Sequence, residues 1–80
     1  MKLHAIEHRE AYGFRLTFEN GAVRDVDLKR LIGRYVPIEQ LSTARIDPEW
    51  GCLEFLDGKV DISPRTLYQF VFGEENRRAA

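Results

Sequence analysis

Tyr12-Gly13-Phe14-Arg15-Leu16-Thr17-Phe18-Glu19-Asn20-Gly21-Ala22-Val23-Arg24-Asp25-Val26-Asp27-Leu28 is the stretch whose reading decides the fold. Tyr12, Phe14, Leu16 and Phe18 alternate with Gly13, Arg15 and Thr17, the period of two expected of a strand buried on one face. Glu19-Asn20-Gly21 breaks the alternation, and a second strand runs from Ala22 to Leu28. A two-residue Asn20-Gly21 turn would set Leu16 opposite Asp25 and put an acid on the apolar face. A three-residue loop, with Glu19 and Asn20 in a type I turn and Gly21 left-handed, instead pairs Phe18 with Ala22, Leu16 with Arg24, Phe14 with Val26 and Tyr12 with Leu28. One face is then mostly apolar, and on the other Arg15 stands opposite Asp25 as a register-fixing ion pair.

The rest of the chain extends this hairpin into an α+β domain. Leu3 to His8 alternates weakly; Leu3 and Ile6 also suit a short helix, but a strand gives the sheet a third member, which a lone hairpin needs. Asp27 is a candidate N-cap for a short helix carrying Leu28, Leu31 and Ile32 on one face and ended by Gly33. Pro37 can open another turn. Asp47-Pro48-Glu49-Trp50-Gly51 reads as a hairpin loop that sets Ile46 opposite Leu53 and Ala44 opposite Phe55. A type I′ turn at Asp57-Gly58 then sets Phe55 opposite Val60 and Leu53 opposite Ile62. It also sets Glu54 opposite Asp61, a like-charge pair that disfavours the ladder unless a cation sits between them.

Ser63 as N-cap, Pro64 at the first helical position and Ile62 stapling to Leu67 mark the start of a last helix, with Leu67, Phe70 and Val71 as its apolar stripe. Gly73 caps it and leaves residues 74–80 as a charged tail, or Glu74 with Arg77 or Arg78 carries the helix on. The expectation is thus one α+β domain over residues 1–73. It holds an antiparallel sheet of about five short strands built from hairpins, a short middle helix and a C-terminal helix.

Composition bounds the function classes. An 80-residue chain buries only about 60% of the surface its unfolded form exposes. A net charge of −1 and a pI near 6.1 leave no broad electrostatic footprint for nucleic acid. Cys52 is the single cysteine, so an internal disulfide and a cysteine metal cluster are excluded and a reducing compartment is the simplest inference. With no apolar run of signal-peptide or membrane-span length, the expected location is the cytoplasm, with no membrane association.

The chemistry-bearing patterns are few. His4-Ala5-Ile6-Glu7-His8 spells the H-x-x-E-H of one class of zinc peptidases. That motif needs a helix, where residues four apart share a face at about 6 Å; on a strand the two histidines stand roughly 13 Å apart. Glu54, Asp57 and Asp61 gather acids around a turn without EF-hand spacing. Cys52, lacking a predicted charge partner, reads as a small core residue. No catalytic, metal or cofactor site is expected. Lys29, Arg30 and Arg34 form the one basic cluster, either a nucleic-acid patch or a solvated helix face. Trp50 at a hairpin tip and Tyr68 with Phe72 on the flank of the last helix are the partner-binding candidates, since large aromatics dominate interface hot spots. Folding back onto the core is the alternative for all three.

Taken together, the first hairpin Leu16 to Leu28, then Arg45-Ile46-Asp47-Pro48-Glu49-Trp50-Gly51, then Phe55-Leu56-Asp57-Gly58-Lys59-Val60-Asp61-Ile62-Ser63-Pro64-Arg65-Thr66-Leu67-Tyr68 resemble the small bacterial proteins catalogued as domain of unknown function 2442. The resemblance spans about Leu3 to Tyr68, with Phe55 where the family usually carries Trp and a shorter Gly33 to Ser42 segment. It implies a compact α+β domain, brings no catalytic residues to transfer, and implies an antitoxin-like place in a two-gene unit. The expected function is a non-catalytic interaction or regulatory module with a protein partner or a second copy. The alternatives are a nucleic-acid-binding or autoregulatory protein using Lys29, Arg30, Arg34, Arg77 and Arg78, and, more remotely, a small metal-dependent enzyme.

Overall fold

Hairpins dominate the local chemistry of the chain, and they assemble into two sheets. The computed structural model describes the backbone of residues 1–79 and the side chains of residues 1–73. Strands β1 (Leu3–His8), β2 (Gly13–Phe18) and β3 (Val23–Asp27) form one antiparallel sheet with β2 at its centre. Strands β4 (Arg45–Ile46), β5 (Leu53–Phe55) and β6 (Val60–Ile62) form a second, with β5 at its centre. A short helix α1 (Lys29–Ile32) and a 3-10 helix (Ile38–Thr43) connect them, and α2 (Pro64–Ala79) closes the chain. The strands number six rather than about five and divide between two sheets rather than forming one, because the segment between Leu28 and Ala44 turns away from the first sheet before the second hairpin begins.

The first hairpin has the three-residue loop that the polar pattern requires. Phe14 pairs with Val26, Leu16 with Arg24 and Arg15 with Asp25, while the Phe18 N–H donates to Ala22 O and Gly21 takes φ +89°. The Leu28 N–H donates to Tyr12 O at 3.0 Å. Arg24, the one charge on the apolar face, lays its guanidinium 4.9 Å from the Phe72 ring centroid, so its head is held by an aromatic face rather than stranded in the core. In the second sheet Ile46 pairs with Leu53, Phe55 with Val60 and Leu53 with Ile62. The sheets meet where the Leu3 N–H donates to Gly51 O at 3.2 Å, while the Glu19 N–H donates to Lys2 O at 2.9 Å within the first sheet.

Phe14, Phe18, Phe55, Leu16, Leu28, Ile32, Leu41, Leu53, Leu67 and Val36 are all fully buried and form one core between the sheets and the helices. Tyr12 ties its half-buried hydroxyl to Val36 O at 2.7 Å.

Gly33 ends α1 as its right-handed C-cap at φ −57°, and turns continue through Val36, whose N–H donates to Ile32 O. Three local expectations are corrected. Pro37 stands just before its turn rather than at the first position, with extended backbone. Gly73 lies inside α2, which runs on to Ala79; with no left-handed φ at Gly73, nothing there stops the helix. Asp27 is not the N-cap of α1: Leu28 holds that position without a side-chain cap bond, and Asp27, one residue earlier, accepts the Lys29 N–H at 2.8 Å, whereas Ser63 accepts the Thr66 N–H at 3.2 Å as an N-cap does.

Candidate functional site

The second hairpin pair carries the feature of most functional interest. Its final turn places Leu56, Asp57 and Gly58 consecutively at positive φ (54°, 57° and 87°), the last two matching a type I′ turn closed by Lys59 N–H to Leu56 O at 3.2 Å. That bond makes Leu56 and Lys59 a hydrogen-bonded pair. By the alternation of an antiparallel ladder, Asp61 then bonds to Glu54, while Val60 and Ile62 aim their N–H and C=O groups away from β5. β6 is the outer strand of its sheet, and among the described residues no backbone hydrogen bond outside the ladders reaches Val60 or Ile62.

Beside this edge runs an open groove of about 480 Å³. α1 supplies Leu31, Ile32 and, just beyond it, Tyr35 as one wall; Lys59, Val60, Asp61 and Ile62 form the other, with Ser63 and Thr66 at the start of α2. Spacing four residues apart puts Leu31 and Tyr35 on the same side of the chain. Tyr35 is 64% exposed, an aromatic side chain standing over an apolar groove beside an unpaired strand edge, the combination used in strand-addition recognition.

The outer face of the same sheet carries a row of charge. Arg45, Glu54 and Asp61 lie side by side across β4, β5 and β6. Arg45 Nε donates to Glu54 Oε2 at 2.8 Å, and its guanidinium also reaches Asp57 at 3.2 Å. The hydrogen bond to Glu54, and then the charges of Glu54, Asp57 and Asp47, hold the Arg45 guanidinium above its ordinary range. The cation needed beside the Glu54–Asp61 pair is therefore present, but on the Glu54 side. Cys52 borders this row. It is only half-buried and lies outside the core, a correction to its reading as a core residue. Burial first, and then the charge of Asp61 and a hydrogen bond to it, push its thiol up, so it stays protonated and weakly nucleophilic near neutral pH.

The other candidates lie elsewhere. Trp50 is 65% exposed at the β4–β5 loop. Tyr68 and Phe72 are half-buried, stacking 4.4 Å apart and packing on Phe18 at 5.2 and 5.8 Å between ring centroids. Lys29, Arg30 and Arg34 are exposed, with Arg30 leaning over the Phe70 ring at 5.7 Å. Arg77 and Arg78 lie outside the described side chains. His4 and His8 sit on β1 rather than on a helix; the His8 ring stacks on Phe14 at 4.8 Å, and its Nε2 lies 2.7 Å from Ala11 O. Among the described residues no three His, Cys, Asp or Glu side chains converge as a metal site, and no helix is long and apolar enough to cross a membrane.

A family model described as a protein of unknown function, DUF2442, matches residues 3–73. The chain belongs to the DUF2442 family. No curated protein and no solved structure matches it. The family match ends at Gly73, so in this DUF2442 domain it covers all six strands and the first part of α2. Sequence reasoning missed the groove and undervalued Tyr35. Its signal was there in the hairpin order: three strands joined by two tight turns leave the last one at an edge.

Proposed function

We propose that this DUF2442 domain is a non-catalytic protein-interaction module acting in the cytoplasm, engaging its partner along a sheet edge. The observation that carries the reading is the outward-facing backbone of Val60 and Ile62 beside the groove under Tyr35. An outer strand presents N–H and C=O groups to which another chain can pair. Trp50 offers a second exposed anchor, and the resemblance to small two-gene proteins gives the module an antitoxin-like, regulatory setting. Nucleic-acid binding has less support, because Lys29, Arg30 and Arg34 stand against a net charge of −1 and the Phe70 ring beside them lies under Arg30.

The test is affinity purification of the tagged chain expressed with its native gene neighbours, followed by mass spectrometry and light scattering. A stoichiometric protein complex, whether with another chain or with itself, is the expected result. Recovery of a lone monomer that retards operator DNA in a salt-sensitive way would replace this reading with the nucleic-acid one.

A further inference from the structure

The edge of β6 is short, Val60-Asp61-Ile62, and is preceded by Lys59 at the end of the turn. Neither Lys59 nor Asp61 takes part in an ion pair among the described residues, and both are exposed. Across the sheet the row reads Arg45, Glu54, Asp61, so the outermost position is an acid that faces, across the ladder, another acid already held by Arg45. A cation placed one strand further out would complete the row.

We propose that β6 pairs antiparallel with β6 of a second copy of this chain, in a register centred on Val60, joining two three-stranded sheets into one six-stranded sheet across a two-fold axis. This deepens the interaction-module reading and rests on it. The register follows from charge. Centred on Val60, the two valines exchange the N–H and C=O groups that face away from β5, and Lys59 of each copy falls opposite Asp61 of the other, twice, in the closely spaced non-hydrogen-bonded positions. Each row then reads Arg45, Glu54, Asp61 and the Lys59 side chain of the second copy. Centred on Asp61, the same strands would set the two aspartates directly opposite each other, a like-charge contact that disfavours that register. A self-complementary patch is what a two-fold interface requires. The axis stands perpendicular to the sheet, so both α1 walls lie on the same face. Leu31 and Tyr35 of each copy then close over a groove that in one copy is open.

The experiment is light scattering and sedimentation of the full chain and of two charge reversals, Lys59→Asp and Asp61→Lys, singly and mixed, with circular dichroism on each. The wild-type chain dimerises, and either reversal alone puts two like charges across the axis and weakens association about tenfold or more. An equimolar mixture of the two reversals restores a dimer, because aspartate at 59 and 61 of one chain then meets lysine at 61 and 59 of the other. A wild-type monomer at protein concentrations up to about 1 mM, or a dimer equally stable in both single reversals, overturns the proposal. Either result accompanied by capture of a different protein leaves the interaction module standing without self-pairing. A monomer that captures nothing overturns both.

Discussion

Phe14 on β2 meets Phe55 on β5 edge to face, with ring centroids 5.9 Å apart and planes inclined at 83°. Each ring comes from the centre strand of its sheet and neither is exposed to solvent. This contact joins the two sheets beside the single backbone hydrogen bond that, among the described residues, runs between them, from the Leu3 N–H to Gly51 O. Phe55→Ala removes the ring and leaves a cavity with little freedom to collapse, at a cost of about 3–5 kcal/mol. For a chain of this length that is a large share of a stability on the order of 4–12 kcal/mol. Urea unfolding of the variant should show a much lower midpoint, and an unchanged midpoint would mean that the two sheets are held together by something other than this ring pair.

Two glycines predict opposite signs. Gly58 sits at φ +87° in the turn before β6, where an added Cβ meets the steric penalty of left-handed backbone, about 1–2 kcal/mol. Gly73 lies within α2 with no atom within 4 Å of an added Cβ, and replacing a helical glycine by alanine gains about 0.5–1 kcal/mol. Thermal melts of Gly58→Ala and Gly73→Ala should therefore move in opposite directions. A shift of the same sign in both would contradict one of the two backbone assignments.

Both hairpin registers were legible in the sequence, because turn residues and alternation constrained each other: the acid at Asp25 excluded the two-residue loop, and Asp57-Gly58 specified the last pairing. The division into two sheets was not, since pairing between hairpins depends on tertiary contacts such as Phe14 with Phe55, which no local pattern encodes. Gly73 misled because glycine permits a left-handed helix stop without requiring one, and α2 runs through it without a left-handed turn. At the surface, the sequence marked the large aromatics but could not say that Tyr68 and Phe72 lean on Phe18, or that Tyr35 stands over a groove. Those depend on where α1 and α2 come to rest.

The Arg15–Asp25 pair predicts a pH dependence. Arg15 donates through Nε at 2.8 Å and through its second terminal nitrogen at 3.2 Å, and this hydrogen bonding, followed by the charge of Arg15, holds the Asp25 carboxyl below its ordinary value of 3.8. The folded-state pKa is lowered, so the unfolded chain takes up this proton first as the solution is acidified. The pair's contribution is present above the ordinary value and is lost as the pH falls through the folded one. Asp25→Asn should flatten the loss of stability below about pH 4 and change it little at neutral pH beyond the missing pair itself. An acid limb as steep as in the wild type would show that Asp25 is not a group whose protonation is linked to unfolding there.

Arg45 tests the charge row from its other end. Its guanidinium touches Glu54 and Asp57, and Glu54 faces Asp61 across the ladder. Arg45→Ala therefore removes the guanidinium that bridges Glu54 and Asp57 and leaves Lys59 as the one cation of a turn with three acids, and the resulting repulsion is long-ranged enough to be screened by salt. The variant should be less stable than the wild type at low ionic strength and recover much of the difference at high ionic strength. Arg45→Met, which keeps most of the side-chain length but not the charge, should behave like Arg45→Ala if charge is what matters. A deficit that salt does not reduce, and that methionine repairs, would assign Arg45 a packing role over the strand and would take away the electrostatic reason for a cation beyond Asp61.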